Sequence, residues 1–71
     1  MSFNYRKLKG RIIEKFGTQR EFAKACGISG VAMSMKMNNK MRFTSDDIVK
    51  MTDLLDIAKE EIDQYFFTVK V

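Results

Sequence analysis

Few side chains in this 71-residue sequence could do chemistry, and their types point to binding. There is no histidine and one cysteine, Cys26, so neither a zinc site built from those ligands nor a histidine-based nucleophile can be assembled. Glu60, Glu61 and Asp63 cluster, but carboxylates at the start of a helix stabilise and solubilise it more often than they bind metal. Positive charge is what the chain concentrates. Residues 1–42 carry ten Lys/Arg against two acids, whereas residues 43–71 carry three against seven. Such a division suits a polyanion on one face, with the acidic half turned away from it. On charge alone a merely solvated basic face is an equal alternative.

The elements that must position these residues are short helices. With 45% hydrophobic residues, 31% charged, four glycines and no proline, the composition is that of one small, mostly helical domain over residues 1–71. No apolar run approaches the roughly 20 residues a membrane span needs, and no signal-peptide pattern opens the chain. The expected location is therefore the cytoplasm, without membrane. Tyr5, Leu8, Ile12 and Phe16 follow helical spacing over 5–16, and Gly17 ends that helix. Thr18 to Glu21 reads as a capping box opening a two-turn helix that presents Phe22, Ala23 and Cys26 inward and stops at Gly27. Ile28 is a buried plug. Ser29 caps a third helix to about Asn38, with Met33 and Met37 on its inner side and Val31, Ser34, Met35 and Asn38 on the other. Phe43, Thr44, Asp47 and Ile48 combine a capping box with a hydrophobic staple and start a fourth helix running to about Leu55. A fifth begins at Glu60, burying Ile62, Tyr65 and Phe66. Phe67 to Val71 reads as a short strand or extended tail.

Two short helices meeting at Gly27, with small Ala23 at their crossing, have the spacing of a helix-turn-helix over about 18–38. Its second, recognition helix at about 29–38 is the element presented to the major groove of DNA. Gln19, Ala23, Gly27, Ile28, Ser29 and Met33, with the run from Asn38 to Ile48, resemble the phage repressor and Cro-like family. The ending, residues 60–71, looks like that of small phage and prophage regulators of the same group.

The resemblance implies an all-α, five-helix, lambda-repressor-like domain with a short extended C-terminal tail. It also implies a sequence-specific transcriptional regulator on double-stranded operator DNA, usually dimeric, needing no cofactor and no metal, and not an enzyme. Carried onto this chain, Val31, Ser34 and Met35 would read base edges. Gln19, Ser29, Lys36, Asn38, Asn39, Lys40 and Arg42 would hold the DNA backbone. The departures from the family pattern lie where bases are read: Gly30 offers no side chain, and Val31 offers only apolar contact to a thymine methyl. That apolar surface supports an alternative, an antirepressor that binds another repressor protein. An antitoxin-like module would need an extension that 71 residues scarcely provide. For the ending, two readings stay open. Tyr65–Val71 pairs two copies into a homodimer, or the tail folds back over the first helix and covers Leu8 and Ile12.

Overall fold

The computed structural model describes residues 3–69 and contains five α-helices among them. They are α1 (Arg6–Phe16), α2 (Gln19–Cys26), α3 (Gly30–Met37), α4 (Ser45–Leu54) and α5 (Ile62–Phe66), the last entered through a 3₁₀ turn at Lys59–Glu61. The all-α, five-helix domain with a helix-turn-helix and a short extended tail is therefore the fold of this chain. Boundaries shift by a residue or two, as helix ends commonly do.

Helices α2, α3 and α4 each start where a side chain accepts from an otherwise unpaired backbone N–H. Thr18 Oγ1 accepts from Glu21 N at 3.1 Å, and Ser29 Oγ from Ala32 N at 3.0 Å. The box at Thr18 is only half made, because the Glu21 carboxylate lies toward Lys24 at 3.9 Å. At Thr44 both halves form. The Thr44 hydroxyl accepts from Asp47 N at 3.1 Å, and Asp47 Oδ2 accepts from Thr44 N at 2.9 Å. Between α2 and α3 the backbone turns at Gly27, with φ +75°, a conformation that costs an L side chain about 1–2 kcal/mol. Ile28 N–H then donates back to Ala23 carbonyl at 3.1 Å and closes the turn.

The core takes one inward side chain or more from every helix. Leu8 and Ile12 of α1, Phe22, Ala23 and Cys26 of α2, Met33 of α3, Met51 of α4, and Tyr65 and Phe66 of α5 are all buried. Leu55 and Ile57 join them from the connection after α4. Ile57 lies in the turn between α4 and α5, and it is the one core position that helical spacing does not mark.

Polar contacts then tie α4 to its neighbours. Arg11 Nε donates to Leu55 carbonyl at 2.9 Å, so α1 caps the end of α4, and Lys15 pairs with Asp56 at 3.1 Å. Lys50 Nζ donates to Cys26 carbonyl at 3.2 Å, so α4 caps the end of α2. The strongest tie is Lys36, only 7% exposed, whose Nζ donates to Asp47 Oδ2 at 2.7 Å and to Arg42 carbonyl at 3.0 Å. Its ammonium also lies 5.8 Å from the Phe43 ring centroid.

The tail follows neither reading of the sequence fully. Phe3 and Val69 form an antiparallel bridge, and Asn4 N donates to Thr68 carbonyl at 2.7 Å. The tail thus pairs with the segment before α1 and does not lie across Leu8 and Ile12. Tyr65 and Phe66 belong to the chain's own core, so a homodimer contact within the described part of Tyr65–Val71 is confined to its remaining surface. There Phe67 is 47% exposed. Lys70 and Val71 lie outside the described residues.

Asn39 completes this end of the molecule. Its Oδ1 accepts from Phe3 N at 2.8 Å and its Nδ2 donates to Phe3 carbonyl at 2.9 Å, while its own backbone sits at φ +62°. Asn39→Ala should cost about 2 kcal/mol, because it loses both bonds and leaves a β-carbon in the left-handed region. Asn39→Gly loses the same bonds but relaxes the backbone, and should cost clearly less. Equal losses in denaturant unfolding would show that the backbone conformation is not what constrains this position.

Asp47 makes the Lys36 contact dependent on pH. Burial works against its ionisation, but the hydrogen bond from Lys36, those from Thr44 and the Lys36 charge together hold its carboxyl below the ordinary value. A depressed folded-state pKa adds stability that is fully present above the unfolded value, about 3.9. That stability is lost as pH falls through the folded value. Asp47→Asn should destabilise by about 2–3 kcal/mol at neutral pH by leaving Lys36 buried without its counter-charge. Lys36→Met, which keeps the packed stem and removes the charge, should cost less. It should also flatten the acid limb of a melting-temperature profile below about pH 4.

Candidate functional site

The outward face of α3 is the surface the helix-turn-helix presents. Val31, in its first turn, is 72% exposed, and Gly30 beside it adds no side chain. Ser34 and Met35, a turn further on, are half-buried. A shallow cleft between α2 and the start of α3 adjoins Val31, with Gln19, Arg20 and Ile28 in its walls. The helix holds this face outward because Met33 and Lys36 are buried on the opposite side. The offered surface is small and apolar at the end that a DNA-reading helix would insert first.

The residues expected to read bases are thus brought together, and they offer one hydroxyl and two apolar side chains. Val31 has no hydrogen-bonding group. The Ser34 hydroxyl lies 3.3 Å from Asn38 Nδ2, and the Ser34 carbonyl accepts from the same nitrogen at 2.8 Å. Both side chains are therefore partly committed to finishing α3.

Among the residues expected on the DNA backbone, Lys36 needs correction. Its ammonium is buried against Asp47 and Arg42 carbonyl, so it is not available to a phosphate. Asn39 is exposed, but its amide is spent on Phe3. Ser29 uses its hydroxyl as the α3 cap. Gln19 is half-buried at the start of α2, while Lys40 and Arg42 are exposed in the connection from α3 to α4. Neither Lys40 nor Arg42 makes an ion pair among the described residues.

Part of the charge division read from the sequence therefore has an internal meaning. Arg11, Lys15, Lys24 and Lys36 all make ion pairs within the chain, two of them with Asp47 and Asp56 of the acidic half. Sequence reading did not find Lys36–Asp47, because a pair eleven residues apart leaves no periodic signal. It found Asp47 only as a capping residue. Cys26 is buried, which pushes its thiol pKa up; Asp47 adds to that rise and Lys50 opposes it. The thiol therefore stays protonated at neutral pH and is a poor nucleophile. Among the described residues, no three His, Cys, Asp or Glu side chains come together as metal ligands, and no helix is long and apolar enough to cross a membrane.

Comparison with known proteins corrects the expected kinship. The chain is similar to the solution structure of the modulator of repression (MOR) of the temperate bacteriophage TP901-1 from Lactococcus lactis. The two share 42% identity over 100% of this chain and 96% of that one, with a TM-score of 0.84. A comparison with curated proteins finds no match. The phage connection and the fold hold, but the Cro or repressor kinship does not. With it falls the reading of the chain as a sequence-specific, DNA-binding repressor or Cro-like regulator, since the similar phage protein modulates repression. The physical signs were on α3, where Gly30 and Val31 stand in place of polar base readers. The sequence pattern that fits the chain is that of DUF739, a family described as a protein of unknown function, and it matches residues 1–69: the chain belongs to that family.

Proposed function

We propose that this chain is a phage-type modulator that acts by binding a repressor protein and changing the repressor's occupancy of its operator. The observation that carries this reading is the 42% identity, over the whole chain, with a protein described as a modulator of repression. The exposed face of α3 supports it. A recognition helix that begins Gly30-Val31, with Val31 72% exposed, suits an apolar contact with protein better than readout of base edges.

In this role Val31 is the anchor, Met35 extends the apolar contact along the helix, and Ser34 lies between them. Gln19 and Ser29 flank the contact on the side of the cleft. Binding of this kind needs no cofactor and no chemical step. The setting it implies is the cytoplasm of a bacterial host, where a phage repressor works.

A titration tests it directly. Increasing amounts of the chain are added to a complex of a helix-turn-helix repressor from the same genome with its operator, and operator release is followed by fluorescence anisotropy. The expected result is saturable release, or saturable tightening, with no operator binding by the chain alone. Val31→Asp should weaken the effect by about 2 kcal/mol or more, as loss of a central apolar anchor does, while leaving the melting temperature nearly unchanged. An unchanged effect in that variant would move the contact off α3. A chain that never alters repressor occupancy would remove the reading altogether.

A further inference from the structure

A second surface, separate from the α3 face, concentrates apolar side chains beside uncompensated positive charge. An open groove of about 640 Å³ runs between the N-terminal segment, the connection from α3 to α4, and α5. Tyr5, Phe43 and Phe66 stack edge-to-face along it, with centroid separations of 5.2 and 5.4 Å. Phe3 continues the row to Phe67 at 5.9 Å, again edge-to-face. Met41 and Phe67 are exposed where the groove opens to solvent.

The charge around this groove is one-sided. Lys40 and Arg42 line it, and none of its lining residues is acidic. In sequence these two cations bracket Met41, so positive charge lies on both sides of an apolar position. Neither is neutralised by an ion pair among the described residues, whereas nearby Lys36 is already paired with Asp47. Cations left without counter-charge beside a concave aromatic slot favour a ligand that brings carboxylates and a bulky apolar group together.

The geometry points to a docking site for a short acidic peptide segment of a partner protein, in which an aromatic or branched aliphatic side chain enters the groove between flanking carboxylates. The rings meet one another edge-to-face and are mostly half-buried. They offer a slot, not the flat open faces on which the bases of a single strand would stack. An apolar residue between the two cations also fits an acid–apolar–acid pattern better than a continuous run of phosphates. None of the α3 surface residues lines this groove, so the inference does not rest on the repressor reading.

The test uses the full-length chain labelled with ¹⁵N and a synthetic peptide, acetyl-Gly-Ser-Asp-Glu-Leu-Phe-Asp-Glu-Ser-Gly-amide. Two control peptides replace either the four acids by Lys or the Leu-Phe pair by Ala. The expected result is saturable amide shift changes at Phe3, Met41, Arg42, Phe43 and Phe67 with the first peptide and much weaker changes with both controls. The double variant Lys40→Glu, Arg42→Glu should bind the acidic peptide at least tenfold more weakly and gain affinity for the Lys peptide. Both replaced side chains are exposed, and Arg42 serves Lys36 only through its carbonyl, so the melting temperature should hold.

Equal binding of the acidic and Lys peptides would overturn the proposal, and so would shift changes confined to α3. Concentration-dependent shifts at the groove without peptide would overturn it in favour of a second copy. Shifts with phosphatidylglycerol vesicles and none with peptide would overturn it in favour of a lipid surface.

Discussion

A buried lysine holds the outward face of α3 in place. Lys36 sits on the inner side of α3, and an ammonium taken out of water carries a desolvation cost of several kcal/mol unless it is well paired. Asp47 and the Arg42 carbonyl satisfy it at 2.7 and 3.0 Å. Because Asp47 also accepts from Thr44 N, one carboxylate caps α4 and neutralises α3 together. A slide of α3 against α4 would separate the charges or break the cap. This ties the rotation of α3, and hence the direction in which Val31 points, to a polar contact on the far side of the helix. The hydrophobic contacts of Met33 and Met37 contribute area but less direction, since methionine adapts to irregular gaps.

The same contact changes what the charge asymmetry means. A net charge of +4 with the cations crowded into one half resembles the electrostatic footprint of a nucleic-acid binder. In the folded chain part of that charge is spent on construction. Arg11 and Lys15 close the end of α4, Lys36 fixes α3, and Lys50 closes the end of α2. Cations that donate to helix-terminal carbonyls also meet the negative end of the helix dipole, so their placement follows from local electrostatics without a polyanion. Net charge is thus a weak guide to partner when the acidic and basic halves of a chain pack against each other.

Most of the fold was legible in the sequence because most of it is set locally. Gly27, Thr18, Ser29 and the Thr44–Asp47 box mark helix ends within four residues of where their bonds form. Leu8, Ile12, Phe22 and Met51 announce the core through helical spacing. What stayed hidden depends on residues far apart in the chain. Asn39 clasps Phe3 across 36 positions, and Phe3 pairs with Val69 at the other end. Ile57 is buried although its neighbours, Asp56 and Ala58, are exposed. The candidate site was located in outline, since Val31, Ser34 and Met35 were placed on the outer side of α3 from spacing alone. The family resemblance, however, attached a DNA-reading role to them that their own chemistry had already made doubtful.

A helix-turn-helix is a way of holding one short helix outward, and the scaffold is indifferent to what that helix touches. Ala23, Gly27, Ile28 and Met33 serve the crossing of α2 and α3, and so they say nothing about the ligand. Gly30, Val31, Ser34 and Met35 carry no packing duty comparable to that of the fully buried Met33. A polar residue at Val31 would favour base edges, whereas a branched aliphatic one favours the apolar surface of a protein. The distance between a repressor and a protein that modulates repression can therefore be a few outward side chains on an unchanged core. In this chain Val31 is the most exposed large apolar side chain of α3.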